Sequence, residues 1–180
     1  MSWRRRPTRE NSPETPKEHL WLALHDSFEE DDGTWHASSD VGLDGLSGGD
    51  VLRRWDHIAS RATAITERAI WDRDNEPPRE SLVLGVAVTR LARGELGYVS
   101  VNVDGVVPRR LPPVALELWP DAVSMYWWVG DHGWDAETVA ELAQLLGELH
   151  ALVPHARLTY EQPNVDEFWG PIKSYLATTR

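Results

Sequence analysis

Residues 97–129 constrain the fold more than any other stretch of the chain. Val99, Val101 and Val103 alternate with Tyr98, Ser100 and Asn102, Pro112 and Pro113 interrupt the chain before Val114–Trp119, and Pro120-Asp121 supplies a tight turn into Ala122–Val129. Alternation of period two sends one set of side chains to each face of a sheet, and connections this short join antiparallel neighbours. Ser81–Leu91 is nearly all apolar with Gly85 inside, which predicts a central strand buried on both faces and a meander of four strands.

Helical periodicity flanks this meander. Asp50 stands as an N-cap, and Val51, Trp55, Ile58, Ala62, Ile65 and Ala69 recur at spacings of four and three, predicting a helix that ends near Asp72. Its other side carries Arg54, His57, Arg61 and Arg68, a basic stripe that either faces water or pairs with nearby carboxylates. A second helix is expected from a cap at Asp135 to Val153, with Val139, Leu142, Leu146 and Leu149 as its core stripe and Pro154 as its stop. Ala156–Glu161 reads as one more strand. Asn164 then caps a short helix over 165–177, broken or kinked at Gly170-Pro171.

The amino-terminal third is less regular. Residues 1–18, with Pro7, Pro13, Pro16 and few apolar groups, read as a mobile basic tail, leaving 19–180 as a single domain. Leu20, Leu22 and Leu24 alternate with Trp21, Ala23 and His25 as a strand would. The acidic run from Glu29 to Asp32 turns the chain toward a return strand at Thr34–His36, and residues 38–49 look like a flexible connection. The sum is an α+β fold: a mostly antiparallel sheet of about five to six strands, with two main helices and a short C-terminal helix packed on one face.

Composition narrows the chemistry. The 180 residues include ten tryptophans and no cysteine, which removes disulfides, thiolate zinc sites and cysteine nucleophiles together. The formal net charge is −11, and it is uneven: residues 1–20 hold five basic against three acidic side chains, the remainder 13 against 26. So negative a body disfavours nucleic acid and anionic membranes and favours a basic partner. The start, Met1-Ser-Trp-Arg-Arg-Arg, lacks the apolar core of a signal peptide, and no run approaches the roughly 20 apolar residues of a membrane span, so a cytoplasmic location is expected.

No motif fixes a reaction. A phosphate-binding Gly-rich loop and a dinucleotide fingerprint are both missing from the sequence. His150 and His155 are five apart across Pro154, which spoils the i, i+4 geometry of a helical metal pair, and Asp40 and Asp44 do not fit a calcium loop. Neither a metal nor a cofactor is expected. Asp131-His132-Gly133-Trp134-Asp135, between a strand and a helix, is the best catalytic candidate, although Asp135 is better explained as a helix cap.

Trp119, Trp127, Trp128 and Trp134 fall within 16 positions, and Trp127 and Trp128 must point to opposite faces of their strand. Aromatic anchors rimmed by carboxylates are the composition of a recognition surface. The sequence therefore predicts a non-enzymatic, acidic binding protein that masks a basic partner such as a toxin or nuclease, in the manner of immunity or inhibitor proteins. Its contact residues would be Glu29, Glu30, Asp31, Asp32, Trp119, Trp128, Asp131 and Trp134. The competing reading is an enzyme or small-molecule binder with a pocket near Asp131 and His132, or on a sheet face shared by Asn102, Glu117, Arg157, Glu161, Tyr126 and Trp128.

Overall fold

A computed structural model describes residues 15–28, 38–78, 80–128, 133–160 and 165–179. Among these residues five α-helices, α1 (Pro16–Leu24), α2 (Gly48–Ala59), α3 (Leu84–Ala92), α4 (Ala136–Ala151) and α5 (Val165–Thr178), are joined to six strands. The strands are β1 (Ser38–Asp44), β2 (Ala62–Trp71), β3 (Tyr98–Val106), β4 (Val114–Leu118), β5 (Ala122–Trp128) and β6 (Arg157–Tyr160). They form one sheet in the order β2-β3-β4-β5-β1-β6, antiparallel throughout. The α+β architecture expected from the sequence is the one observed.

The alternation in β3, β4 and β5 does what the sequence implies. Val99, Val101, Leu116, Leu118, Val123, Met125 and Trp127 occupy one face and are no more than 3% exposed. Leu146 and Leu149 of α4 and Trp169 of α5 pack with Val41, Leu43, Leu116, Val123 and Met125 there, so the helical layer covers this face. At one end Trp127 stacks between Phe28 (5.0 Å) and Phe168 (5.7 Å), and its indole N–H donates to the Ser27 carbonyl at 3.1 Å. α4 is as predicted: the Asp135 side chain accepts from the Thr138 amide, and Val139, Leu142, Leu146 and Leu149 are buried.

Four local expectations are corrected. Leu20–His25 is not a strand: α1 begins at Pro16, where Thr15 and Glu18 close a capping box, and buries Leu20 and Leu24 one turn apart. The helix expected over 50–72 ends at Ala59, and β2 takes over from Ala62, where Thr63, Ile65, Thr66 and Ile70 supply β-branched side chains. Its cap is Ser47 rather than Asp50, which sits at the third helical position of the capping box. Ser81–Leu91 contains a helix, α3, that buries Ala87, Val88 and Leu91 and leaves Val83 and Val86 exposed. The supposed connection at 38–49 contains β1, held between β5 and β6. Thr34–His36, Glu161 and Asn164 lie outside the described residues.

The basic stripe is dispersed. His57 meets Glu148 of α4 at 3.0 Å, and Glu148 also pairs with Arg109, whose Nε lies 3.8 Å from Glu141. Arg61 donates to the His57 carbonyl at 2.8 Å. Arg54 is fully buried, with Nε and Nη2 lacking hydrogen-bond partners among the described residues. Arg68 belongs to β2 and points elsewhere.

Candidate partner-binding surface

The second face of the sheet follows from the same alternation. Register places Tyr98, Ser100 and Asn102 of β3 beside Ala115 and Glu117 of β4, and these beside Ser124 and Tyr126 of β5. Trp71 pairs with Tyr98 at one margin, and Gly42 of β1 lies between Ser124 and Thr159 toward the other. A side chain at Gly42 would run into the Thr159 and Ser124 hydroxyls, so the glycine keeps this part of the face flat.

Two aromatic groups stand on this face. In the first, Tyr98 lies between Trp71 (centroids 5.2 Å apart) and Trp119 (4.6 Å), both tilted against it. Trp71 is 41% and Trp119 37% exposed, although large aromatics usually bury more of their surface than this. The Tyr98 hydroxyl donates to the Glu117 carboxylate, and its pKa is pushed up to about 12 by burial and by that bond. Carboxylates border the shelf. Beyond Trp71 the chain turns through Asp72, whose side chain accepts the amides of Asp74 (2.8 Å) and Glu76 (3.1 Å), leaving the Asp74 and Glu76 side chains exposed. Asp121, in the β4–β5 turn beside Trp119, is exposed as well.

In the second group, Tyr126 and Trp128 meet edge to face at 6.0 Å, and the Arg68 guanidinium lies 5.3 Å from the Tyr126 ring. Arg68 starts from β2 at the register shift between Glu67 and Ala69, and Tyr126 belongs to β5, so the two side chains meet across β3 and β4. Ser100 and Ala115, on the same face, are buried. The cation–π contact is of a kind worth about 0.5–1 kcal/mol at an exposed site.

The contact residues read from the sequence divide accordingly. Trp119 and Trp128 share the open face at opposite ends. Trp134 joins the other side of the molecule, 4.9 Å from Phe28 and 6.0 Å from Trp127, and its indole N–H donates to the Trp128 carbonyl at 2.9 Å. Glu29, Glu30, Asp31, Asp32, Asp131 and His132 lie outside the described residues. Asn102, Glu117, Tyr126 and Arg157 do share the face expected of them. Sequence reasoning missed Trp71, Tyr98 and Arg68. The alternation of Tyr98 with Val99 was the available signal for Tyr98, whereas Trp71 and Arg68 were hidden by the overlong helix.

Among the described residues no group of three or more histidines and carboxylates is placed to hold a metal ion, and no described helix is long and apolar enough to cross a membrane. Neither a protein-family model nor a curated protein matches the chain. Among solved structures, the chain is similar to one chain of the toxic C-terminal tip of CdiA from Pseudomonas aeruginosa in complex with immune protein. The TM-score is 0.44 and the identity 13%, over 66% of this chain and 79% of that one. A likeness of that degree fixes neither fold nor function.

Proposed function

We propose that this protein is a non-enzymatic binding protein that masks a basic partner with the open face of its sheet. The observation that carries the reading is the exposed shelf of Trp71, Tyr98 and Trp119, bordered by Asp74, Glu76 and Asp121 on a chain of net charge −11. Exposed indoles supply anchors that lose water on binding, and surrounding carboxylates steer a cationic surface toward them. Trp128 extends the anchor set across the sheet. Glu29, Glu30, Asp31, Asp32 and Asp131 add charge to the same task, and Trp134 supports the loop before α4. A toxin or nuclease whose own site binds phosphate is the kind of target that such a surface would cover, in the manner of an immunity protein.

The test is capture from lysate of the source organism at low and moderate salt, with the wild type and a Trp71→Ala/Trp119→Ala variant side by side. A stoichiometric basic protein that is retained by the wild type, released by salt and lost by the double variant supports the reading. Equal retention by the variant removes the shelf from the interface. Absence of any retained protein overturns the function.

A further inference from the structure

On the helical side of the molecule, a groove of about 400 Å³ opens between the end of α4 and α5. Gly147, Leu158, Trp169 and Leu176 give it apolar walls, and His150 and Lys173 are its polar groups. At Gly147 a Cβ would meet the Leu176 side chain, so the glycine leaves Leu176 its place in the wall. A cleft of this size with few polar groups is in the range of small-ligand sites.

The charge of the groove runs against that of the chain. Lys173 is exposed and forms no ion pair among the described residues. His150 is half-buried, its ring centroid 6.4 Å from that of Trp169, and its pKa is lowered first by burial and then by the positive charges of Lys173 on α5 and Arg54 on α2. Arg54 is the buried guanidinium with two unpartnered nitrogens; the Asp50 carboxylate offsets part of its charge but is itself hydrogen-bonded to Ser47 and paired with Arg53, and the remainder adds positive potential. The nearest carboxylate along α4, Glu148, is engaged by His57 and Arg109. A molecule with an apolar body and one negative charge complements both the walls and the field.

We propose that this groove binds a small aliphatic carboxylic acid, its tail against Trp169 and Leu176 and its carboxylate held by Lys173 and His150. The site is independent of the open sheet face, and the Trp71→Ala/Trp119→Ala variant leaves it unchanged.

Titration of the full chain with decanoate and, separately, with 1-decanol tests it, followed by NMR of the His150 ring protons assigned with His150→Gln. Decanoate is expected to bind about tenfold tighter than decanol, since a charge-assisted hydrogen bond supports a difference of that order. It is also expected to raise the His150 pKa, because a bound carboxylate offsets the cationic surroundings. Lys173→Glu should abolish the preference for the acid and raise the His150 pKa of the free protein. Ala151→Trp, at an exposed position lining the groove, should block both ligands, with circular dichroism confirming its fold. Equal affinity for decanol, a His150 titration unmoved by decanoate, or an unaffected Lys173→Glu protein would each overturn the assignment.

Discussion

Trp127 and Trp128 are neighbours in β5, yet they belong to different environments. Trp127 is sealed among Phe28, Phe168 and Trp134 beneath the helical layer, whereas Trp128 lies half-exposed beside Tyr126 on a face that no helix covers among the described residues. The contrast extends along the sheet: valines, leucines and a methionine inward, and tyrosines, tryptophans, hydroxyls and a glutamate outward. A helix-free sheet face in water normally carries short or charged side chains. Aromatics that are not needed for the core are the anchors that the proposed partner surface would use.

The contrast is sharpest in its energetics. Trp127→Ala should destabilise the fold by about 3–5 kcal/mol, since it removes a stacked, hydrogen-bonded indole from a closed site; urea unfolding measures this. A loss below about 1 kcal/mol would break the distinction between the faces. Next comes Arg54, the charged intruder in the covered layer. Arg54→Met should leave stability unchanged or raise it by about 1–4 kcal/mol, because a poorly partnered buried charge gives way to an apolar chain of similar length. A large loss would show that the guanidinium has a structural partner.

Asp50→Asn probes the entry to the covered layer with a smaller expected effect. The Asp50 carboxyl is held well below the usual carboxylate range by hydrogen bonds from the Ser47 hydroxyl and amide, and then by Arg53. A depressed folded-state pKa contributes stability that is complete above the unfolded value of about 4 and is lost as pH falls toward the folded one. The variant should therefore cost about 1 kcal/mol at pH 7, with a deficit that shrinks in melts near pH 3. The smallest effect is expected at Trp128→Ala, about 0.5–1 kcal/mol for loss of one edge-to-face contact. The Trp134 bond goes to the Trp128 backbone carbonyl and survives that change.

Legibility followed the periodicity of each segment. β3, β4, β5 and α4 were readable because a single face is buried and the repeat is clean over each element. Ser81–Leu91 was ambiguous, since a short apolar run has no period to separate a buried strand from a helix. Only tertiary packing, which exposes Val83 and Val86 while burying Ala87, Val88 and Leu91, selects α3. At α1 the signal was present in Thr15-Pro16-Lys17-Glu18, a capping box with proline at its first helical position, and the Leu alternation masked it. For the site, Trp119 and Trp128 were visible as members of strands already recognised. Trp71 was not, because its place beside Tyr98 depends on a pairing between β2 and β3 that no local pattern encodes.

β1 is early in the chain, yet its two neighbours in the sheet are β5 and β6. On a ribosome its amides and carbonyls would therefore wait for a first partner until Ala122–Trp128 is made, and for the second until Arg157–Tyr160. The sheet is complete only once Arg157–Tyr160 has emerged; β5 can seal one side of β1 earlier, and the side that takes β6 is an open edge until then. Synthesis of this protein is consequently a race between closing that gap and intermolecular pairing, in which dilution or a chaperone on the nascent chain favours the native outcome.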